Sequence, residues 1–209
     1  MFDSGDLELP FGSPERALAD IEERASLILQ AGKRPFLLGG EHLVTLGAVR
    51  AAVKRFPDLH IVHFDAHADL RSEYLGVSLS HACVLRRCWE LVGDGRIFQF
   101  GIRSGDREEF RWGASHVKTN RFSFEGLEET LRSLAGQPVY STVDLDVLDP
   151  SVFPGTGTPE PGGVSFDELR RAATLVCRSA NVVACDVNEL SPPYDPSGKS
   201  TAAACKIVR

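Results

Sequence analysis

The chain has 209 residues, 43% of them hydrophobic and 25% charged, which is ordinary for a soluble globular protein able to bury a substantial core. A formal net charge of −6, with no basic cluster beyond Arg86-Arg87, argues against a nucleic-acid partner. No apolar run reaches the roughly 18 residues of a membrane span, and residues 1–6 lack a secretory leader's basic and apolar regions, so the reading is of a cytoplasmic protein with no membrane partner.

Ser13-Pro14-Glu15 has the signature of a helix start, and Leu18, Ile21, Ala25 and Ile28 recur on one face until Gly32 stops the run. A short strand follows over residues 35–38, closed by Gly39-Gly40, and then a helix over 43–54. The apolar run 59–64 reads as a strand, 83–92 as a helix, 96–102 as a strand and 115–118 as a further short strand. A helix is expected over 124–134 with Ser123 as its cap, a strand over 139–143 and a helix over 165–179 opened by a Ser165/Glu168 capping box. The last strand spans 181–187, and a final helix starts at Thr201. Strands alternating with helices, and strands apolar throughout, predict a parallel sheet covered on both faces, an α/β three-layer arrangement in one domain, 1–209. Five cysteines form no C-x-x-C pair and read as reduced thiols.

The chemistry gathers at strand ends. Gly39-Gly40-Glu41-His42 follows the first strand, Asp65-Ala66-His67-Ala68-Asp69 the second, and Asp144-Leu145-Asp146 the run 139–143. Residues two apart in an extended segment project to the same side, and ligands of open α/β sheets sit at the carboxyl ends of strands. Two imidazoles and four carboxylates with no cysteine suit Mn²⁺ better than Zn²⁺. Four acids balance two divalent ions, so the reading is a two-metal centre: Asp65 and Asp144 bridge, His42 and Asp69 complete one ion, and His67 and Asp146 the other. A water between two such ions is acidified toward hydroxide, which points to hydrolysis. Asp149 reads as a turn cap before Pro150, His63 as a buried core residue, and His60 and His116 as surface residues. Gly155-Thr156-Gly157-Thr158-Pro159 lacks the lysine of a phosphate loop and reads as a wall of the site.

The runs GGEH (39–42), HFDAHADLR (63–71), SHACVLRR (80–87), STVDLDVLDPSVFPGTGTPEPGG (141–163) and DVNELSPPYDPSG (186–198) resemble the ureohydrolases, most of all the agmatinase branch. The resemblance implies an arginase-like fold with a mainly parallel sheet, two Mn²⁺ ions held by His42, Asp65, His67, Asp69, Asp144 and Asp146, and cleavage of a guanidinium to urea and an amine. It implies that His81 is a loop histidine that carries protons and that Glu189 is the acid that grips the guanidinium. By alignment, Asp106 would receive the distal amine of a small guanidino substrate. In the loop 70–76, Glu73 would repel a carboxylate-ended substrate and Arg71 could do the opposite; the loop resembles the agmatinase branch more, so the expected reaction is agmatine to urea and putrescine. Arginase-type and guanidinobutyrase-type substrates stay open, as does a weakly active metal-binding scaffold. A homo-oligomer is the expected assembly. Relative to the family the chain reads as shortened at its N-terminus, which leaves a sheet edge and apolar surface to be exposed.

Overall fold

A computed structural model describes residues 2–209 of the chain. In chain order the elements are α1 (Pro14–Gln30), β1 (Phe36–Leu38), α2 (Val44–Arg55), β2 (His60–Phe64), α3 (Val84–Val92), β3 (Ile97–Ile102), α4 (Arg107–His116), β4 (Lys118–Arg121), α5 (Leu127–Ser133), β5 (Pro138–Asp144), α6 (Phe166–Ser179), β6 (Asn181–Asn188) and α7 (Lys199–Val208). All six strands join one parallel sheet in the order β1-β6-β5-β2-β3-β4.

Residue alternation along each strand feeds two apolar layers. Ile61, Ile97 and Tyr140 pack with Leu18 and Ile21 of α1, Leu46 and Val49 of α2, and Leu85 of α3. Val62, Phe64, Phe98, Phe100 and Val139 point the other way, against Leu127 and Leu131 of α5, Leu169 and Val176 of α6, and Ala204 of α7. Both faces of the sheet are therefore covered, which is why its strands read as apolar throughout.

The caps behave largely as their sequences dictate. Ser13 Oγ accepts from Arg16 N at the start of α1, and Ser165 and Glu168 form the reciprocal capping box of α6. On α1 the fourth buried position is Leu29, Ile28 being only half-buried. Gly47 sits inside α2 because α1 crosses there: a Cβ would lie 2.8 Å from Ile21 Cγ2 and 2.9 Å from Leu18 O. The face of a helix that packs against another helix at this spacing has room for hydrogen alone.

Three local expectations are corrected. Residues 115–118 are not a strand of their own: Ser115 and His116 end α4 and the strand begins at Lys118. Helix α4 is present instead, started by a capping box in which Asp106 Oδ1 accepts from Glu109 N and Glu109 Oε2 accepts from Asp106 N. Helix α5 begins at Leu127 behind the left-handed Gly126, not at Phe124 behind Ser123. At the sheet's edge, β1 pairs only with β6, and Leu38 at its end is 68% exposed. Among the described residues no helix is long and apolar enough to cross a membrane.

Candidate metal centre

The strand order places the crevice. From β2 the chain moves outward through β3 and β4; from β5 it moves outward the opposite way, to β6. Neighbours β2 and β5 are thus the point where strand order reverses, and the gap between their carboxyl ends is where an open α/β sheet accepts a ligand. Phe64 is in register with Val143, so Asp65 and Asp144 leave adjacent strands side by side.

Each of these acids then folds its own chain back. Asp65 Oδ1 accepts from His67 N at 2.6 Å, and Asp144 Oδ1 accepts from Asp146 N at 2.8 Å. Both are turns in which a short acidic side chain binds the backbone two residues on, and they return His67 and Asp146 to the same crevice. Asp69 adopts a left-handed φ of 56°, a conformation Asp tolerates. Its carbonyl accepts from Leu85 N and Arg86 N, anchoring the segment to the first turn of α3.

His42 enters from the turn after β1. Its fully buried Nδ1 lies 3.2 Å from Oδ2 of each of Asp65, Asp69 and Asp144, yet makes no well-formed hydrogen bond. Its Nε2 faces Thr142 Oγ1 at 2.9 Å. His67 Nδ1 lies 3.0 Å from Asp146 Oδ2 and 3.5 Å from Asp65 Oδ1. The donor atoms fall into two groups, one containing His42, Asp65 and Asp69 and the other Asp65, His67 and Asp146, each spanning no more than 4.8 Å. Asp65 belongs to both, and Asp144 meets the first through His42. All six sequence-derived ligands are therefore brought together.

His63 lies in the first group by distance, but its hydrogen bonds assign it another part. Gln99 Nε2 donates to its Nδ1 at 3.1 Å, so the ring proton sits on Nε2, 2.8 Å from Asp65 Oδ2. Burial keeps this imidazole neutral by lowering its pKa. It is a buried, hydrogen-bonded residue that props Asp65.

The electrostatics fit cations. Burial, then the charge of Asp65, lifts the Asp69 carboxyl to about 7. Burial and then Asp146 and Asp65 raise Asp144 well above the carboxylate range. Burial opposes charge on His67, yet hydrogen bonds to Asp146 and Asp65 push it up to about 12. Asp65 shifts the other way: against its burial, His63 and His42 hold it low, so the cluster crowds several acids around shared positive partners, the arrangement that suits cations. The unpartnered His42 Nδ1, equidistant from three carboxylate oxygens, marks one position that a divalent ion would take.

A cavity of about 280 Å³ opens beside the cluster, with His67, Asp69 and Asp144 in its wall. Glu189 enters from the end of β6 with a left-handed φ of 65°. Its backbone N–H donates to Gly40 O and its Oε1 accepts from His42 N at 2.7 Å. Burial raises its pKa. His81 also lines the cavity, at the start of a 3₁₀ turn, His81–Cys83, with its side chain 42% exposed. Thr158 of the 155–159 run also lines the cavity and donates to Asp146 Oδ2 at 3.3 Å.

Asp106 lines the same cavity, but much of it is engaged: Oδ1 caps α4 and Oδ2 is 3.7 Å from Arg71 Nη2. Arg71 Nε is 3.3 Å from Glu109 Oε2, and its guanidinium lies over the Tyr74 ring. Glu73 is exposed and stands outside the cavity wall, which its neighbours Arg71 and Tyr74 line. His60 and His116 are half-buried rather than surface residues; His116 stacks on Trp112 and is 2.6 Å from Asp94.

Four further residues shape the site without having stood out in the sequence. Glu41 contacts His81. Glu160 Oε1 accepts from Ser104 Oγ and is 3.9 Å from His67 Nε2. Arg103 donates to the carbonyls of Asp146, Val147 and Glu160. Asp186, buried beneath the turn after β1, accepts from Tyr140, Thr45 and Asn188. Their sequence signal was only proximity to the ligand-bearing motifs.

The sequence matches the arginase family over residues 1–209. It is 47% identical to the agmatinase of Bacillus subtilis, covering 100% of this chain and 73% of that protein. It is 33% identical to the guanidinobutyrase of Pseudomonas aeruginosa, with 99% and 68% covered. The crystal structure of the agmatine ureohydrolase of Thermoplasma volcanium superimposes with a TM-score of 0.88 at 38% identity, covering 100% of this chain and 71% of that one. The family match and these relatives define the class, a hydrolase of guanidino compounds, and the acids and imidazoles gathered at the strand ends fit it. The chain belongs to the arginase family.

Proposed function

We propose that the chain is a ureohydrolase that holds two Mn²⁺ ions and converts agmatine and water to urea and putrescine. The observation that carries this reading is Glu189, fixed by the His42 N–H in the same cavity as Asp69 and Asp144. An acid held there suits a planar cation, which it orients by paired hydrogen bonds against the acidic cluster. His42, Asp65, His67, Asp69, Asp144 and Asp146 would hold the ions. When bound, the ions supply the Lewis acidity that makes water nucleophilic at neutral pH.

The chain's own groups then divide the work. Glu189 positions the guanidinium carbon. Water adds to that carbon, and its bond to the alkyl nitrogen breaks. The departing amine must take a proton, and His81, in the same cavity, is the group placed to give it. Its hydrogen bond to Glu41 raises its pKa above that of a free imidazole, which favours the proton-bearing form. Asp106, which lines the same cavity, could offer its Oδ2 to a distal ammonium in place of Arg71, its Oδ1 being taken by the cap of α4.

A guanidino acid is the second reading, favoured by Arg71 in the cavity wall and by the guanidinobutyrase relative. Against it, the Nε and Nη2 of Arg71 already face Glu109 and Asp106. A urea-release assay across agmatine, arginine and 4-guanidinobutyrate, with and without added Mn²⁺, separates these readings. Mn²⁺-dependent urea from agmatine above the others is expected. Preferred turnover of a carboxylate-ended compound overturns the substrate assignment, and stoichiometric metal with no turnover favours the scaffold.

A further inference from the structure

We propose that Glu41 is a positioning residue for the proton-carrying histidine: its carboxylate fixes the His81 ring with Nδ1–H turned to Glu41 and Nε2 left free for the leaving amine. This rests on the reading of His81 given above. A single oxygen, Glu41 Oε1, meets two donors of the same residue, the backbone N–H of His81 at 2.7 Å and ring Nδ1 at 3.1 Å. Holding both at once fixes the main chain and the ring rotamer together. With Nδ1–H bound in this way, the other ring nitrogen is the one available to the cavity that His81 lines.

The clamp also sets where the histidine stands. Glu41 belongs to the turn 39–42, which packs closely on the end of β6: a Cβ on Gly39 would collide with the Asn188 side chain. From this turn, His42 sends its ring to Asp65, Asp69 and Asp144 and its N–H to Glu189. Glu41 attaches His81 to the same turn. The proton donor, the substrate acid and a metal ligand are thereby joined to one short segment, although residues 41, 81 and 189 lie far apart in sequence. The charged groups around His81 are Glu41 in contact, Asp69 and Glu189 in the same cavity lining, and Arg71 stacked on Tyr74, whose ring packs edge-on against the imidazole at 5.7 Å.

The test uses Glu41→Gln and Glu41→Asp in the full chain. Urea release from agmatine by the Mn²⁺-loaded chain gives kcat and KM against pH, and long-range ¹H–¹⁵N spectra of the chain loaded with diamagnetic Zn²⁺, chosen because Mn²⁺ broadens nearby ring resonances, read the His81 tautomer and titration midpoint. Glu41→Gln is expected to lower the His81 midpoint by about one pH unit and kcat by about tenfold. KM and metal stoichiometry are expected to stay the same, and Glu41→Asp to recover part of the loss. An unmoved His81 midpoint with wild-type kcat overturns the proposal, as does loss of metal or of the folded state in both variants. If the unmodified chain releases no urea from any guanidino compound, the function above fails, whereas the His81 tautomer still reports on the clamp.

Discussion

Thr142 Oγ1 stands 2.9 Å from Nε2 of His42, on the side of the ring opposite the three carboxylates. Thr142 precedes Asp144 by two on β5, so both point to the same side of the strand. Thr45 Oγ1 lies 3.4 Å beyond and donates to Asp186, which makes the hydroxyls a fixed polar column under the imidazole. The column holds the ring so that Nδ1 faces the ligands.

Replacing Thr142 by Val keeps the shape and removes the partner. Metal affinity is expected to fall by about 10–100-fold, read by competition with a chelator of known affinity. The fold should survive, because Thr142 is buried within an intact strand. Unchanged affinity would show that ring orientation is set elsewhere.

Arg103 follows β3 and ties together the ligand-bearing loop after β5. Its guanidinium donates to Asp146 O at 2.8 Å, Val147 O at 3.1 Å and Glu160 O at 2.7 Å. Only a planar fork reaches these carbonyls at once, so Arg103→Lys is expected to behave more like Arg103→Met than like the native residue. Losing charge-assisted bonds to half-buried acceptors costs about 3 kcal/mol, measured as a lower urea midpoint at unchanged slope. A lysine variant of native stability would contradict this account.

Asp149 closes the same loop at its base. Its Oδ1 accepts from Ser151 Oγ and N, and its Oδ2 from Gly162 N and Gly163 N. The bonds to Ser151, then those to the two glycines, hold the carboxyl at about 2. The folded value lies below the ordinary value of about 3.9, so the folded state binds fewer protons between them. The stabilisation is therefore present above about pH 4 and is lost as pH falls toward 2, amounting to about 1 kcal/mol after allowance for solvent screening. Asp149→Asn should lower stability at pH 7 and flatten that acid limb in a pH series of denaturant melts. An unaltered acid limb would refute it.

Much of the architecture was legible because it is local. Ser13, Pro14 and the Ser165/Glu168 pair start helices by hydrogen bonds within a single turn, and the apolar runs 59–64 and 139–143 read as buried strands before any partner is known. Where a local signal went unread, as with Asp106 and Glu109 at the head of α4, it was nonetheless present as a capping box. Where context overrode a local reading, as at Leu29 and Ile28, the buried face of α1 runs Leu18, Ile21, Ala25 and Leu29 against the core it shares with α2.

The order of residues along the chain was enough to nominate candidate metal ligands and to show that each group closes a strand, since alternation along a strand and short acidic turns depend on neighbours two positions away. Strand order, which sets β2 against β5 and so brings residues 65 and 144 side by side, was decided only by the packed sheet. So was the allocation of Arg71 to Glu109 and Asp106 rather than to a ligand, and of Glu41 to His81. Contacts between groups tens of residues apart depend on how two apolar layers close over one sheet, and no local stretch carries that information.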